Sequence, residues 1–241
     1  MQRYKIADIV FTAKYTYPYI KKICANYEYD GDEPSKTIIE VTKEDIEMEK
    51  SHFSVLDFPD AYYESLALYR KFLAYMMTND AIILHSSALA IDGEAFLFTA
   101  PSGTGKSTHA KLYRQVFGDR VTMINDDKPI IRLVGEDFYV YGTPWNGKHN
   151  LDTNTRVKIK AICNLKQAKE NSIKQISKAQ MLMVLINQTL RPKEESEVDK
   201  LFTILDKLLN KVGLYELYCN ISEEAVKLSY KTMSGESKDE D

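Results

Sequence analysis

Eight residues, Ala100 to Ser107, written A-P-S-G-T-G-K-S, carry the clearest chemistry in this 241-residue chain. Set between an apolar strand and an amphipathic helix, such a run is a phosphate-binding loop. Gly103 and Gly105 let the backbone curl until successive N–H groups point inward, and the following helix adds the positive end of its dipole. Lys106 is placed to reach the outer phosphates, and the Ser107 hydroxyl to complete a magnesium shell. Ser102, Gly103, Thr104, Gly105, Lys106, Ser107 and Thr108 are therefore the expected ATP-binding residues. Ala100 stands where the pattern has its first glycine, a position that asks only for a small residue.

Carboxylates at the end of a strand following such a loop are the usual magnesium site, because the ion must touch both the loop hydroxyl and an acid. The apolar run Val121 to Ile124 ends in Asn125-Asp126-Asp127. Neighbouring side chains diverge in extended backbone, so one aspartate can face the metal and the other an acceptor hydroxyl as its proton acceptor. A turn-capping cluster is the other common use of Asn-Asp-Asp. His85, in the strand before the loop, is either a site residue or a hydrogen-bonded core histidine. The stretch G-T-P-W-N-G-K-H-N from Gly142 to Asn150 adds Lys148 and His149 as contacts for phosphate or substrate. Trp145 there is an aromatic platform or a packing anchor, and Arg156 is the nearest arginine beyond it.

These residues need a frame. Ala81 to Ile91 is apolar enough for a strand, Asp92-Gly93 is a two-residue hairpin signal, and Glu94 to Thr99 is the strand entering the loop. The turn predicts an antiparallel entry, where ordinary phosphate-loop enzymes use a parallel one. Helix Ser107 to Phe117 follows. Lys128 to Val134 and Phe138 to Tyr141 read as a hairpin, Gly142 to Asn150 as a lid-length polar loop, and Val157 to Leu165 as a further strand. Ser177 with Gln180 predicts a capped helix to Thr189, broken by Pro192. Glu197 to Val212 is an amphipathic helix, Leu214 to Cys219 a strand, and Ser222 opens a last helix. Before all this, Ile6 to Phe11 and Thr37 to Val41 are β-like, and Leu66 to Met76 has helical spacing within Ala61 to Met77, a helix expected to pack on the sheet. The expected division is a small β-rich lobe over 1–56, a kinase-like core over 57–232 and a disordered tail over 233–241.

Bulk properties limit the partners. A net charge of −3 gives no broad basic field, so nucleic acid is not an expected partner. No apolar run reaches spanning length and the opening residues lack a signal-peptide layout, so a soluble, cytoplasmic protein with no membrane partner is expected. Cys24, Cys163 and Cys219 have no metal spacing and are expected in the core.

The stretch His85 to Asp127 resembles the kinase domain of HPr kinase/phosphorylase, which phosphorylates a serine of a small phosphocarrier protein. The resemblance lies in H-S-S-A-L-A-I-D-G with its hairpin Gly93, the loop ending G-T-G-K-S, a helix, and a strand ending in Asp126-Asp127. It implies a mixed, largely antiparallel α/β fold with a phosphate loop, shared with phosphoenolpyruvate carboxykinases. It also implies Asp126 as the acid/base, Asp127 with Ser107 on divalent metal, and His85 with Lys106 in the catalytic set. The chain departs from the family where Thr108 replaces a glutamate and where G-T-P-W-N-G replaces the downstream E-[IV]-R-G. It is similar in this to divergent serine kinases acting on precursor peptides or small molecules. The expectation is an ATP- and Mg2+-dependent phosphotransferase acting on a hydroxyl of a peptide, protein or small molecule, with oligomerisation left open. The alternative is a nucleotide-binding regulatory or scaffold protein, and a carboxykinase-like enzyme ranks last for want of arginines near the loop.

Overall fold

The computed structural model describes residues 1–53, 58–190, 192 and 195–235. The chain divides into Met1–Asn79 and Asp80–Asp241. The expected boundary at 56/57 lies outside the described residues, and so do residues 236–241 of the expected tail. Among the described residues, no helix is long and apolar enough to cross a membrane.

Among its described residues the first unit has three strands, β1 (Gln2–Ile6), β2 (Ile9–Lys14) and β3 (Thr37–Glu40), and three α-helices, α1 (Tyr19–Ile23), α2 (Lys43–Ser51) and α3 (Asp60–Met77). Ile6 to Phe11, expected as one strand, is instead the inner part of a hairpin: Ala7 and Asp8 both take positive φ, 51° and 61°, and reverse the chain. Alanine is a poor signal for such a turn. The long helix α3 was expected with the nucleotide core. It belongs here because Phe72 stacks on Phe11 at 4.6 Å, and because the buried Glu64 carboxylate accepts the N–H groups of Thr16 (2.6 Å) and Tyr17 (2.9 Å). With three helices the unit is α/β, not a β lobe.

The second unit is a nine-stranded mixed sheet with helices. Its strands are β4 (Ala81–Ile83), β5 (Ser86–Ile91), β6 (Glu94–Thr99), β7 (Val121–Asn125), β8 (Ile130–Val134), β9 (Asp137–Tyr141), β10 (Arg156–Gln167), β11 (Ser172–Gln175) and β12 (Gly213–Cys219). The order is β4-β8-β9-β10-β6-β5-β7, with β12 beside β10 and β11 beside β12. β10 runs parallel to β6 and to β12, and the other pairings are antiparallel. The entry into the glycine loop is antiparallel, as the Asp92-Gly93 turn predicts, with Ser86 opposite Thr99 and Ile91 opposite Glu94.

Helices α4 (Lys106–Phe117) and α7 (Glu223–Ser234) close one core with Phe96, Phe98, Tyr113, Leu165, Leu217, Val226 and Met233. Helices α5 (Lys178–Ile186) and α6 (Glu195–Leu209) pack on each other and against β12 and β4 respectively. The Ser177–Gln180 capping box is present, although α5 ends three residues before the expected Thr189. The three cysteines are buried, and none forms a disulfide among the described residues. The expected strand Ala81 to Ile91 is broken at Leu84 and His85, where the chain changes neighbours from β8 to β6 and β7. That break positions the site.

Candidate functional site

The C-terminal ends of β6, β7 and β10 and the start of β5 meet at one end of the sheet. From β6 the chain enters the glycine loop, where Gly103 (φ 81°) and Gly105 (φ 113°) hold backbone angles that side chains disfavour. Gly105 then starts α4. Pro101, Ser102, Gly103, Ser107 and Thr108 are exposed, and Thr104 is half-buried. Lys106 turns the other way. It is only 7% exposed, and its Nζ donates to the Ala100 carbonyl at 2.8 Å, across the loop's own mouth. Burial lowers its pKa, and the nearby Asp127 carboxylate acts in the opposite direction.

The two acids leave β7 in different surroundings. Asn125, fully buried, makes the turn: its Oδ1 accepts the N–H groups of Asp127 (2.8 Å) and Lys128 (2.6 Å), while its Nδ2 donates to the Thr143 carbonyl at 2.9 Å. Asp126 is 4% exposed. Its Oδ1 accepts the Gly147 N–H at 2.6 Å, and its Oδ2 is buried with no hydrogen-bond partner. Burial raises its pKa, and the Asp127 charge adds to the rise against the opposing Gly147 N–H and His149. Asp127 receives the His85 Nε2 on Oδ1 at 3.0 Å and the Lys128 Nζ on Oδ2 at 2.5 Å. Burial alone would raise this carboxyl too, but the hydrogen bonds from His85 and Lys128 outweigh it and hold it at about 2. The first acid is thus a stronger base than a free aspartate, and the second stays ionised down to about pH 2.

His85 is therefore not a bare core histidine. The strand break fixes it from three sides: its N–H donates to the Gln188 carbonyl at 2.7 Å, its carbonyl accepts the Thr99 hydroxyl at 3.1 Å, and its ring meets Asp127.

The Gly142 to Asn150 stretch does not stand open as a lid. It folds inward as a strap against the end of β7: Gly147 N–H donates to Asp126 Oδ1 at 2.6 Å and Asn125 Nδ2 to Thr143 O at 2.9 Å. The residues that follow pair with β7, Thr153 N–H donating to Ile124 O and Asp126 N–H to Leu151 O, both at 3.1 Å. Gly142 to Trp145 are buried, Trp145 being 6% exposed. Lys148, His149 and Asn150 are exposed. Arg156 is exposed on the β9–β10 ladder with its guanidinium 5.3 Å over the Tyr139 ring.

Sequence reasoning singled out the acids, the lysine and the histidine, and its alternative of a turn-capping Asn-Asp-Asp cluster is what Asn125 makes, but it gave no role to Lys128, Thr143 or Gly147. An Asn two residues before the second Asp is a readable Asx-turn signal. Nothing local marks Gly147, whose partner lies 21 positions earlier.

No protein-family model matches this chain, and no curated protein does. A solved structure to which it is similar is the Hpr(Ser) kinase/phosphatase from Coxiella burnetii, at 10% identity over 64% of this chain and 97% of that one, with a TM-score of 0.33.

Proposed function

We propose that this chain is an ATP- and Mg2+-dependent phosphotransferase that moves the terminal phosphoryl group of a nucleotide to a hydroxyl. The reading rests chiefly on the orphaned Asp126 Oδ2, a buried carboxylate oxygen without a partner beside an anion held ionised. An unsatisfied buried oxygen costs stability, and a hydroxyl donating to it would remove that cost. Burial raises the pKa of Asp126, which makes its carboxylate a stronger base than that of a free aspartate.

Lys106 is the second support. Its ammonium sits on the Ala100 carbonyl, a neutral acceptor that a phosphate oxygen would replace with a charged one. In the proposed reaction Asp126 Oδ2 takes the proton of the acceptor hydroxyl. The hydroxyl oxygen bonds to the terminal phosphorus as the bond to the bridging oxygen breaks, leaving a phosphoester and a nucleoside diphosphate. Lys106 and the loop N–H groups neutralise the transferring oxygens.

Magnesium takes hard oxygen ligands, one or two carboxylates plus phosphate oxygens, and the Ser107 hydroxyl and Asp127 carboxylate would be its donors here. Both Asp127 oxygens are engaged by His85 and Lys128, so the ion would have to displace one of these partners. When bound, the ion would neutralise charge on the phosphates. His85 and Lys128 hold Asp127 ionised in readiness.

The test is nucleotide consumption by the full chain with and without an added acceptor, using serine-containing peptides of mixed sequence and small polyols as probes. Consumption that rises with acceptor, and is abolished by Asp126→Asn while ATP still binds, supports transfer. Transfer that survives in Asp126→Asn removes the base assignment.

A further inference from the structure

Two clefts adjoin the glycine loop, and Gly103 and Thr104 line both. The larger, about 680 Å³, lies beside α5 and carries the carboxamides of Asn164, Asn187 and Gln188. The smaller, about 420 Å³, lies beside α4, with Thr108 at its edge and Leu112, Leu165, Cys219 and Ile221 among its walls. The volume is in the range of small-molecule sites. It sits at the C-terminal ends of the parallel pair β10 and β12, where α/β sheets take ligands.

This smaller cleft is a half-built apolar slot. Leu165 and Cys219 form a buried floor, whereas Ile221 is 77% exposed beside it. Three of the polar side chains along it make bonds to the protein. Gln167 Nε2 donates to Thr104 O at 3.1 Å, Asn220 Nδ2 to Lys169 O at 2.9 Å, and His109 Nε2 faces the Ser229 hydroxyl at 3.3 Å. What is left for an occupant is chiefly apolar surface continuous with the loop, with the Thr104 and Thr108 hydroxyls at the loop end.

We infer that this slot holds the nucleoside of a nucleoside triphosphate whose phosphates lie in the loop, and that it grips the base by apolar contact and not by its hydrogen-bonding edge. The inference rests on the phosphate-loop reading above. It carries two consequences that the loop alone does not: the nucleoside contributes affinity, and the purine identity contributes little.

The test is calorimetric titration of the full chain with the magnesium complexes of ATP, GTP and tripolyphosphate. ATP is expected to bind about tenfold or more tighter than tripolyphosphate, with GTP within about threefold of ATP. Ile221→Ser, at an exposed position, should weaken ATP and GTP about fivefold, leaving tripolyphosphate binding and the unfolding midpoint unchanged. Equal affinity for ATP and tripolyphosphate, or equal weakening of all three by Ile221→Ser, overturns the slot. A preference of thirtyfold or so for one purine overturns reading by apolar contact. Uptake of tripolyphosphate without a nucleoside gain keeps the loop and removes the slot, whereas uptake of neither removes both.

Discussion

The glycine loop and the Gly142 to Asn150 strap are both short, polar and glycine-bearing, yet the fold treats them oppositely. The loop keeps Pro101 to Gly103 exposed and pulls a lysine inward onto its own carbonyl. The strap buries Gly142 to Trp145 and delivers one N–H to Asp126. Composition does not separate them. The difference lies in what each must satisfy: the loop closes on itself around a cation, while the strap supplies a donor to a buried carboxylate. One is proposed to receive an anion, and the other tunes an acid through a single N–H.

The largest effect is expected in the loop. Lys106→Ala removes the inward cation and should lower transfer by about 10³-fold, the scale of losing one preorganised charge contact, with the fold retained in far-UV circular dichroism. Comparable activity in the variant would show that the loop does not act as proposed.

In the strap the largest effect is steric. A Cβ at Gly142 would lie 1.9 Å from the Thr153 carbonyl oxygen and 2.8 Å from that of Ile124, both backbone atoms. Gly142→Ala should cost about 2–3 kcal/mol in denaturant unfolding. Gly105→Ala meets no atom within 4 Å and is limited only by its φ of 113°, so it should cost less. The reverse order would undo the contrast between a packed strap and an open loop.

Asp127→Asn sharpens the contrast between the neighbouring acids. The folded pKa of Asp127 is depressed to about 2, so its stabilisation is full above the ordinary carboxylate range and is lost as pH falls toward 2. The variant should be about 2 kcal/mol less stable at pH 7 and approach the wild type at the acid end, a difference read from urea midpoints across pH.

Gly147→Ala should give the smallest change. Its Cβ would press on the Asp126 carboxylate at 3.0–3.2 Å and push the strap back. The Gly147 N–H bond lowers the Asp126 pKa, so weakening it raises that pKa further. Activity needs the ionised base, so the acid limb of the rate profile should move to higher pH, with less than about 1 kcal/mol lost in stability. A limb displaced to lower pH would contradict the role given to the strap.

The hairpin at Asp92-Gly93 was legible because its turn chemistry is local, and the capping box at Ser177 and Gln180 for the same reason. The hairpin at Ala7-Asp8 was not, because alanine hides a positive φ. The strand break at His85 escaped notice since Ala81 to Ile91 is apolar throughout; the change of partners there is decided by which strands come to lie alongside.

By itself the sequence determined what can be set by neighbours along the chain: the curled loop with its lysine, the paired acids at the end of a strand, and the antiparallel entry through a two-residue turn. Only the tertiary structure decided that Asp126 is buried with a free oxygen while Asp127 is held by His85 and Lys128, and that the strap closes inward. Those outcomes depend on burial and on partners up to 42 positions away, from His85 to Asp127. Identical side chains one residue apart acquire different acidities from different surroundings, which adjacent letters cannot encode.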